Sequence, residues 1–382
     1  DAPTWKGKIV ASLTLELMAY AGADEFEMRA CDTLFEYIYA VAQGFEYRGH
    51  NSENKAESGF DGLGILKNEV SNMSDEFTMV RYGVPTFRTN THSKVVTDIY
   101  HTQFDNPNTT SEGKYEDCLK YYGTYLIRLC NLPVAPFDLT RTADKYVGQV
   151  DFDYLESLGY NKKLSSLANT YRDNSREIYL KNSLILKLMD YANQQDIDVS
   201  SVDFENYNKH VRDTVNTIIS QSTHLAGESV TLEVPFYINL IKTLKGGIDS
   251  LKEGKGPASE TIFRALPASY YTNYLEYDCW YETNTDNINL GARDVLWAND
   301  IKVQYLDIYD FYQGLKVKAD GDNFEEEIAT AEGWLADEAL PHLTQAVSDD
   351  IDMFTSANRS LNAAIREADA LIDALMNLCE LN

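Results

Sequence analysis

Between Leu361 and Leu378, the apolar residues Leu361, Ala364, Ala368, Leu371, Leu375 and Leu378 recur at alternating steps of three and four. That spacing lays one apolar stripe along a helix, flanked by Arg366, Glu367, Asp369 and Asp373, and such a stripe must be covered by other elements. The same period runs through much of the chain. "SEGKYEDCLKYYGTYLIRLC", "REIYLKNSLILKLMDYANQ" and "NYNKHVRDTVNTIIS" read as amphipathic helices. "WKGKIVASLTLELMAYAG" and "DEFEMRACDTLFEYIYAVAQG" read as two more, closing on Gly22 and Gly44. "GESVTLEVPFYINLIKTLKGG" holds a short strand ahead of a further helix.

One stretch resists this reading. From Glu46 to about Thr110 the chain is polar and rich in Gly and Ser, and it carries His50, His92 and His101, three of the six histidines. Irregular segments of this length inside a compact protein are usually functional or disordered, and the three histidines favour function. Prolines in "NLPVAPFDLT" and "GKGPAS" mark connections. The expected fold is therefore mainly α, a multi-helix bundle with a long irregular loop region in its N-terminal third. It is expected either as one compact domain over 1–382 or as two lobes. In the second case a helical region with the loop excursion spans 1–135 and a C-terminal bundle spans 136–382.

Charge narrows the classes of partner. Among 382 residues, 60 acids against 33 bases give a net charge of −27. Such a surface repels nucleic-acid phosphates and anionic lipid, and it favours cationic partners such as metal ions or basic proteins. No run reaches the roughly 18 apolar residues of a membrane span, so membrane insertion is not expected. The first residues, "DAPTWKG", read as a mature end left by signal-peptide removal. The triplets at Asn72, Asn108 and Asn358 are glycosylation-type sequons, which suit a secretory route. Five cysteines (31, 118, 130, 279, 379) are scattered without zinc-like spacing. Cys118 and Cys130 on one helix would sit about 18 Å apart, too far to bridge, so disulfides would have to join distant segments.

Hydrolase and nucleotide signatures are missing: there is no HExxH, no P-loop and no GxSxG elbow. What the chain has in abundance is hard oxygen donors, with 26 tyrosines beside its 60 acids. "ASYYTNYLEYDCWYETNTDN", residues 268–287, places Tyr270, Tyr274, Tyr277 and Tyr281 within an arc of roughly 60° on a helix, with Asp278 near its edge. "VQYLDIYDFYQG" repeats the device with Tyr305, Tyr309 and Tyr312. Most such phenols pack into a core. Phenolate and carboxylate oxygens are also the donors that a trivalent cation such as Fe(III) prefers over thiolate or imidazole. A second cluster, "THSKVVTDIYH", brings His92, Asp98, Tyr100 and His101 within ten residues, with Arg88 upstream as a contact for an anion. Period-two alternation makes an ordinary half-buried strand the competing reading there. The candidate metal ligands are Asp98, Tyr100, His101, His92, Tyr277, Asp278, Tyr281 and Tyr309.

The start "DAPTWKG", the tyrosine- and acid-rich helices, the scattered cysteines and "GFEYRGHNSENKAESGFDGLG" together resemble the periplasmic iron-assimilation proteins of green algae. That family overlaps with proteins induced by high carbon dioxide and is related in role to phytotransferrins. The resemblance implies a secreted, non-enzymatic protein that captures ferric iron, with carbonate as synergistic anion, outside the plasma membrane. It also implies delivery to a membrane iron transporter or reductase. Two alternatives stand beside it. An extracellular helical hydrolase would be similar to imelysin-like proteins, whose Gly-x-His-x-x-Glu motif is only approached by "YRGHNSEN". An acidic calcium-binding surface protein would use "KADGDNFEEE", a partial match to a calcium loop.

Overall fold

A computed structural model describes residues 8–16, 19–23, 25–43, 45, 65–67, 75–92, 94–100, 102–222, 224–226, 229–254 and 324–381. In chain order the elements begin with β1 (Ser12–Leu15), β2 (Glu25–Ala30), α1 (Phe35–Ala42), β3 (Ile65–Lys67), α2 (Glu76–Arg81), β4 (Thr86–His92) and α3 (Lys94–Ile99). After a 3-10 turn at Pro107–Thr109 come α4 (Glu112–Asn131), α5 (Thr140–Gln149), α6 (Phe152–Ser157), α7 (Lys163–Gln194) and α8 (Glu205–Ser222). The hairpin strands β5 (His224–Ala226) and β6 (Ser229–Thr231) precede α9 (Glu233–Lys252); α10 (Glu325–Trp334) and α11 (Leu340–Leu378) complete the fold. The protein is mainly α-helical, a multi-helix bundle with a small mixed sheet.

Two compact units divide the chain. The first takes Asp1–Val147, Leu167–Ser220 and Phe354–Asn382; the second takes Gly148–Ser166 and Gln221–Met353.

In the first unit the sheet has the order β1-β4-β2-β3. β4 runs parallel to β1 and antiparallel to β2, and β2 runs parallel to β3. Two segments expected as helix are thus strands. The period-two signal was present in both: Ser12-Leu-Thr-Leu15 and Glu25-Phe-Glu-Met-Arg-Ala30 alternate polar and apolar residues. The helix expected from Asp24 onward begins only at Phe35. Of the stretch 46–110 expected to be irregular, residues 75–110 supply α2, β4, α3 and the 3-10 turn, while 46–64 and 68–74 lie outside the described residues.

Alternation gives the sheet two unlike faces. Phe26, Met28 and Phe87 are buried on the side where α4 packs, with Phe26 and Phe87 rings 6.3 and 6.0 Å from Tyr121 and Phe87 5.2 Å from Tyr125. Glu27, Arg29, Arg88 and Asn90 occupy the intervening positions, and Glu76 from α2 joins them. Gly83, between α2 and β4, has a φ of +80°, and a β-carbon there would come 2.4 Å from the Asn216 carbonyl oxygen on α8. Only glycine meets both demands.

Helix α4 starts as its sequence suggests. The Ser111 hydroxyl accepts a hydrogen bond from the Lys114 amide, Glu112 lies in the first turn and Arg128 in the last, each suited to the helix dipole. The stripe on α11 is buried as expected at Leu361, Ala364, Ala368, Leu371 and Leu375, whereas Leu378 is 37 % exposed. Within the first unit, Phe354 of α11 packs 4.6 Å from the Tyr146 ring and 5.3 Å from Tyr171.

The second unit is organised by α9, which buries Phe236, Tyr237, Leu240, Ile241, Leu244 and Ile248. The Lys252 ammonium pairs with Glu332 of α10 at 2.7 Å, and the Tyr237 ring lies 5.7 Å from His342 of α11. Between α10 and α11 the backbone widens into a π-turn, Leu335–Ala339. Pro341 follows it; its missing N–H and its ring clash with the preceding turn account for the widening.

Candidate functional site

A constellation of hard oxygen donors forms around Tyr20. Ala19 has a φ of +65°, a left-handed conformation that a β-carbon disfavours, so the turn is held from outside. The Ala21 amide donates to Thr109 O at 2.7 Å, and the Ser111 amide donates to Ala19 O at 2.7 Å. The buried Lys114 ammonium donates to Ala21 O at 3.0 Å and also to Ala23 O. Thus the segment after β1 is pinned to the segment before α4, although nothing local in either sequence demands it.

Tyr20 itself is buried in a small apolar cluster with Ala23, Val96 and Ile99. Its hydroxyl donates to Asp105 Oδ2 at 2.6 Å. Burial, then the hydrogen bond to Asp105, then the charges of Asp105 and the neighbouring Tyr100, push the Tyr20 phenol from 10.0 up to about 12. Tyr100 directly follows α3 and is 40 % exposed. Two phenols and a carboxylate therefore converge where α3 and the 3-10 turn meet the start of α4. Tyr100 and Asp105 are both exposed residues.

Of the residues expected from sequence, Tyr100 belongs to this set. Asp98 lies two positions earlier on α3 and is exposed. His92 ends β4, and "THSKVVTDIYH" splits between the end of that strand and α3 instead of forming one strand. His101, Tyr277, Asp278, Tyr281 and Tyr309 lie outside the described residues. Arg88 is buried on the polar face of the sheet, with Glu16 and Glu76 carboxylates each 3.8 Å from its guanidinium. Among the described residues, no group of three or more His, Cys, Asp or Glu side chains is placed to hold a metal ion. Sequence reasoning passed over Tyr20 and Asp105. The only trace of Asp105 was its place in the turn-forming "DNPNTT", and nothing local marked Tyr20 as its partner.

Elsewhere several described tyrosines pack into the core, whereas Tyr39, Tyr115, Tyr179 and Tyr191 are exposed. Tyr121 and Tyr125 are fully buried, with hydroxyls that find no hydrogen-bond partner among the described residues, and burial drives both phenols well above their usual range. Tyr122 shares a hydrogen bond with the Thr89 hydroxyl across the sheet interface. The four described cysteines are free thiols, which removes the expected disulfides among them; Cys279 lies outside the described residues. Burial raises the Cys31 thiol, and burial likewise pushes Cys118 up to about 12. The sequon residue Asn358 is buried and committed to structure, donating to Leu167 O at 3.0 Å and accepting from Asn174. Asn108 is exposed in the 3-10 turn, and Asn72 lies outside the described residues. No described helix is long and apolar enough to cross a membrane. No protein-family model and no curated protein matches this chain.

Proposed function

We propose that the chain is a non-enzymatic ferric-ion-binding protein that captures iron outside the plasma membrane for uptake, and that Tyr20, Tyr100 and Asp105 form a ligand set. The observation that carries this reading is the hydrogen bond of Tyr20 to Asp105 beside Tyr100, in a turn that holds Ala19 in a left-handed conformation. Phenolate and carboxylate oxygens match the hardness of Fe(III). Solvent-facing Tyr100 and Asp105 give the ion an approach, and the net charge of −27 draws cations toward the surface. Tyr20 is protonated at neutral pH, so binding expels its proton to solvent. Apparent affinity then rises by up to about tenfold per pH unit for each proton released.

Loading the protein with ferric ion and bicarbonate tests this. Phenolate coordination gives a visible charge-transfer band, expected to weaken strongly in Tyr20→Phe and Tyr100→Phe. A colourless loaded sample overturns the reading, and a band unaffected by both substitutions removes this site from it. Arg88, expected to contact carbonate, already faces two carboxylates, so the need for the anion is read separately by loading with and without bicarbonate.

A further inference from the structure

In the first unit a groove of about 510 Å³ opens between the connection after α7 and the last three turns of α11. Its α11 side is lined by Ala370, Leu371, Ala374 and Leu378 with the polar Asn377, and Asp203 and Glu367 add carboxylates to the lining. Among the described residues, no Lys, Arg or His lines it. The volume is within the range of ligand-binding clefts, roughly 300–1,000 Å³. Ala370, Ala374 and Leu378 recur at steps of four on one side of α11, and two alanines in that row let another backbone approach closely. From Glu367 to Leu378 the groove runs for about 16 Å at 1.5 Å per residue, which matches about three turns of a docked helix.

We infer that this groove docks a basic amphipathic helix of a partner protein, which lays leucine-type side chains over Ala370, Ala374 and Leu378 and directs Lys or Arg to Asp203 and Glu367. Charge selects this occupant. On the α11 surface around the groove Asp369 is already paired with Lys181 of α7, and Asp373 stands against the single base Arg366, so the carboxylates of Asp203 and Glu367 leave the groove net acidic and an acidic segment is repelled. A second copy of this chain, at net charge −27, meets the same repulsion. One Asp203 oxygen accepts from the Glu205 amide at 2.9 Å, which fixes the carboxylate at the groove mouth while its other oxygen remains able to accept from a partner. The inference stands independently of the ferric site.

The probe is a fluorescein-labelled peptide of about 14 residues with Leu at i, i+3, i+4 and i+7 and Lys between, the pattern of helix-in-groove ligands. A scrambled peptide of the same composition is the control, and anisotropy with the full chain is the readout. The amphipathic peptide is expected to bind at least about tenfold tighter than the scramble, and Glu367→Lys and Ala370→Arg each to weaken it by about tenfold or more. Ala370 is exposed, so its substitution leaves the fold intact, which circular dichroism verifies. Equal binding of both peptides, or variants that bind like the parent, shows attraction by net charge alone and overturns the inference. So does sedimentation that reveals a dimer dissolved by Ala370→Arg, because the groove then serves a second copy.

Discussion

Tyr121 and Tyr20 are the same residue type in two settings about 100 positions apart, and the contrast shows what a phenol does in this protein. Tyr121 is wedged between Phe26, Phe87, Phe45 and Tyr122, with ring centroids 5.6–6.3 Å away, and its hydroxyl has no partner among the described residues. It acts as a large apolar ring with an awkward oxygen. Tyr20 buries its ring against three smaller side chains and turns its oxygen to a carboxylate at the surface. The first arrangement holds the sheet to α4; the second pairs a phenol with a carboxylate, the pair proposed above as cation ligands. Abundance of tyrosine therefore says little about function until each hydroxyl is placed.

The largest effect expected from this contrast is on stability. Tyr121→Ala should cost about 3–5 kcal/mol, because it removes the central ring of the layer and leaves a cavity. Urea unfolding measures it, and a cost under about 1 kcal/mol would mean that the layer is not the anchor of the sheet.

Alkaline pH is expected to act next. The Tyr20 and Tyr37 phenols are each raised from 10.0 to about 12, and burial raises Tyr121, Tyr125, Tyr171 and Tyr207 too. An unfolded phenol loses its proton near 10, whereas the folded one keeps it. The folded state therefore binds more protons, and stability falls as pH rises. This contribution is complete below about pH 10 and is lost as pH climbs through 12. Denaturant midpoints between pH 8 and 11.5 should hold flat and then drop steeply; a flat profile throughout would contradict the burial of these hydroxyls.

Smaller effects separate the two tyrosines most cleanly. Tyr20→Phe should cost about 0.5–1.5 kcal/mol by deleting the bond to Asp105. Tyr121→Phe should be neutral or slightly stabilising, since it removes a buried oxygen that has no partner among the described residues. If thermal melts give the reverse order, the roles assigned to the two hydroxyls are exchanged.

The helices were legible because their cause is local. Leu361 to Leu375 in α11 and the capped start of α4 follow from spacing and from Ser111, whatever the rest of the chain does. The strands were mistaken for helices for an instructive reason. "SLTL" and "EFEMRA" are short runs inside longer segments with helical spacing, and only pairing with β4 decides between the two periods. Of the site, Tyr100 was reachable from the density of donors in "THSKVVTDIYH". Tyr20 was not, because its significance comes from a carboxylate 85 residues away.

By itself, then, the sequence determined a helical scaffold, an acidic surface and a surplus of hard oxygen donors, since periodicity, charge and composition are properties of neighbouring residues. Tertiary structure alone decided that β1, β4 and β2 share a sheet, that Arg88 lies between Glu16 and Glu76, and that Tyr20 meets Asp105. Each of these depends on closing a long loop, and the free energy that closes it comes from burial of the aromatic layer against the sheet, not from the residues that then meet.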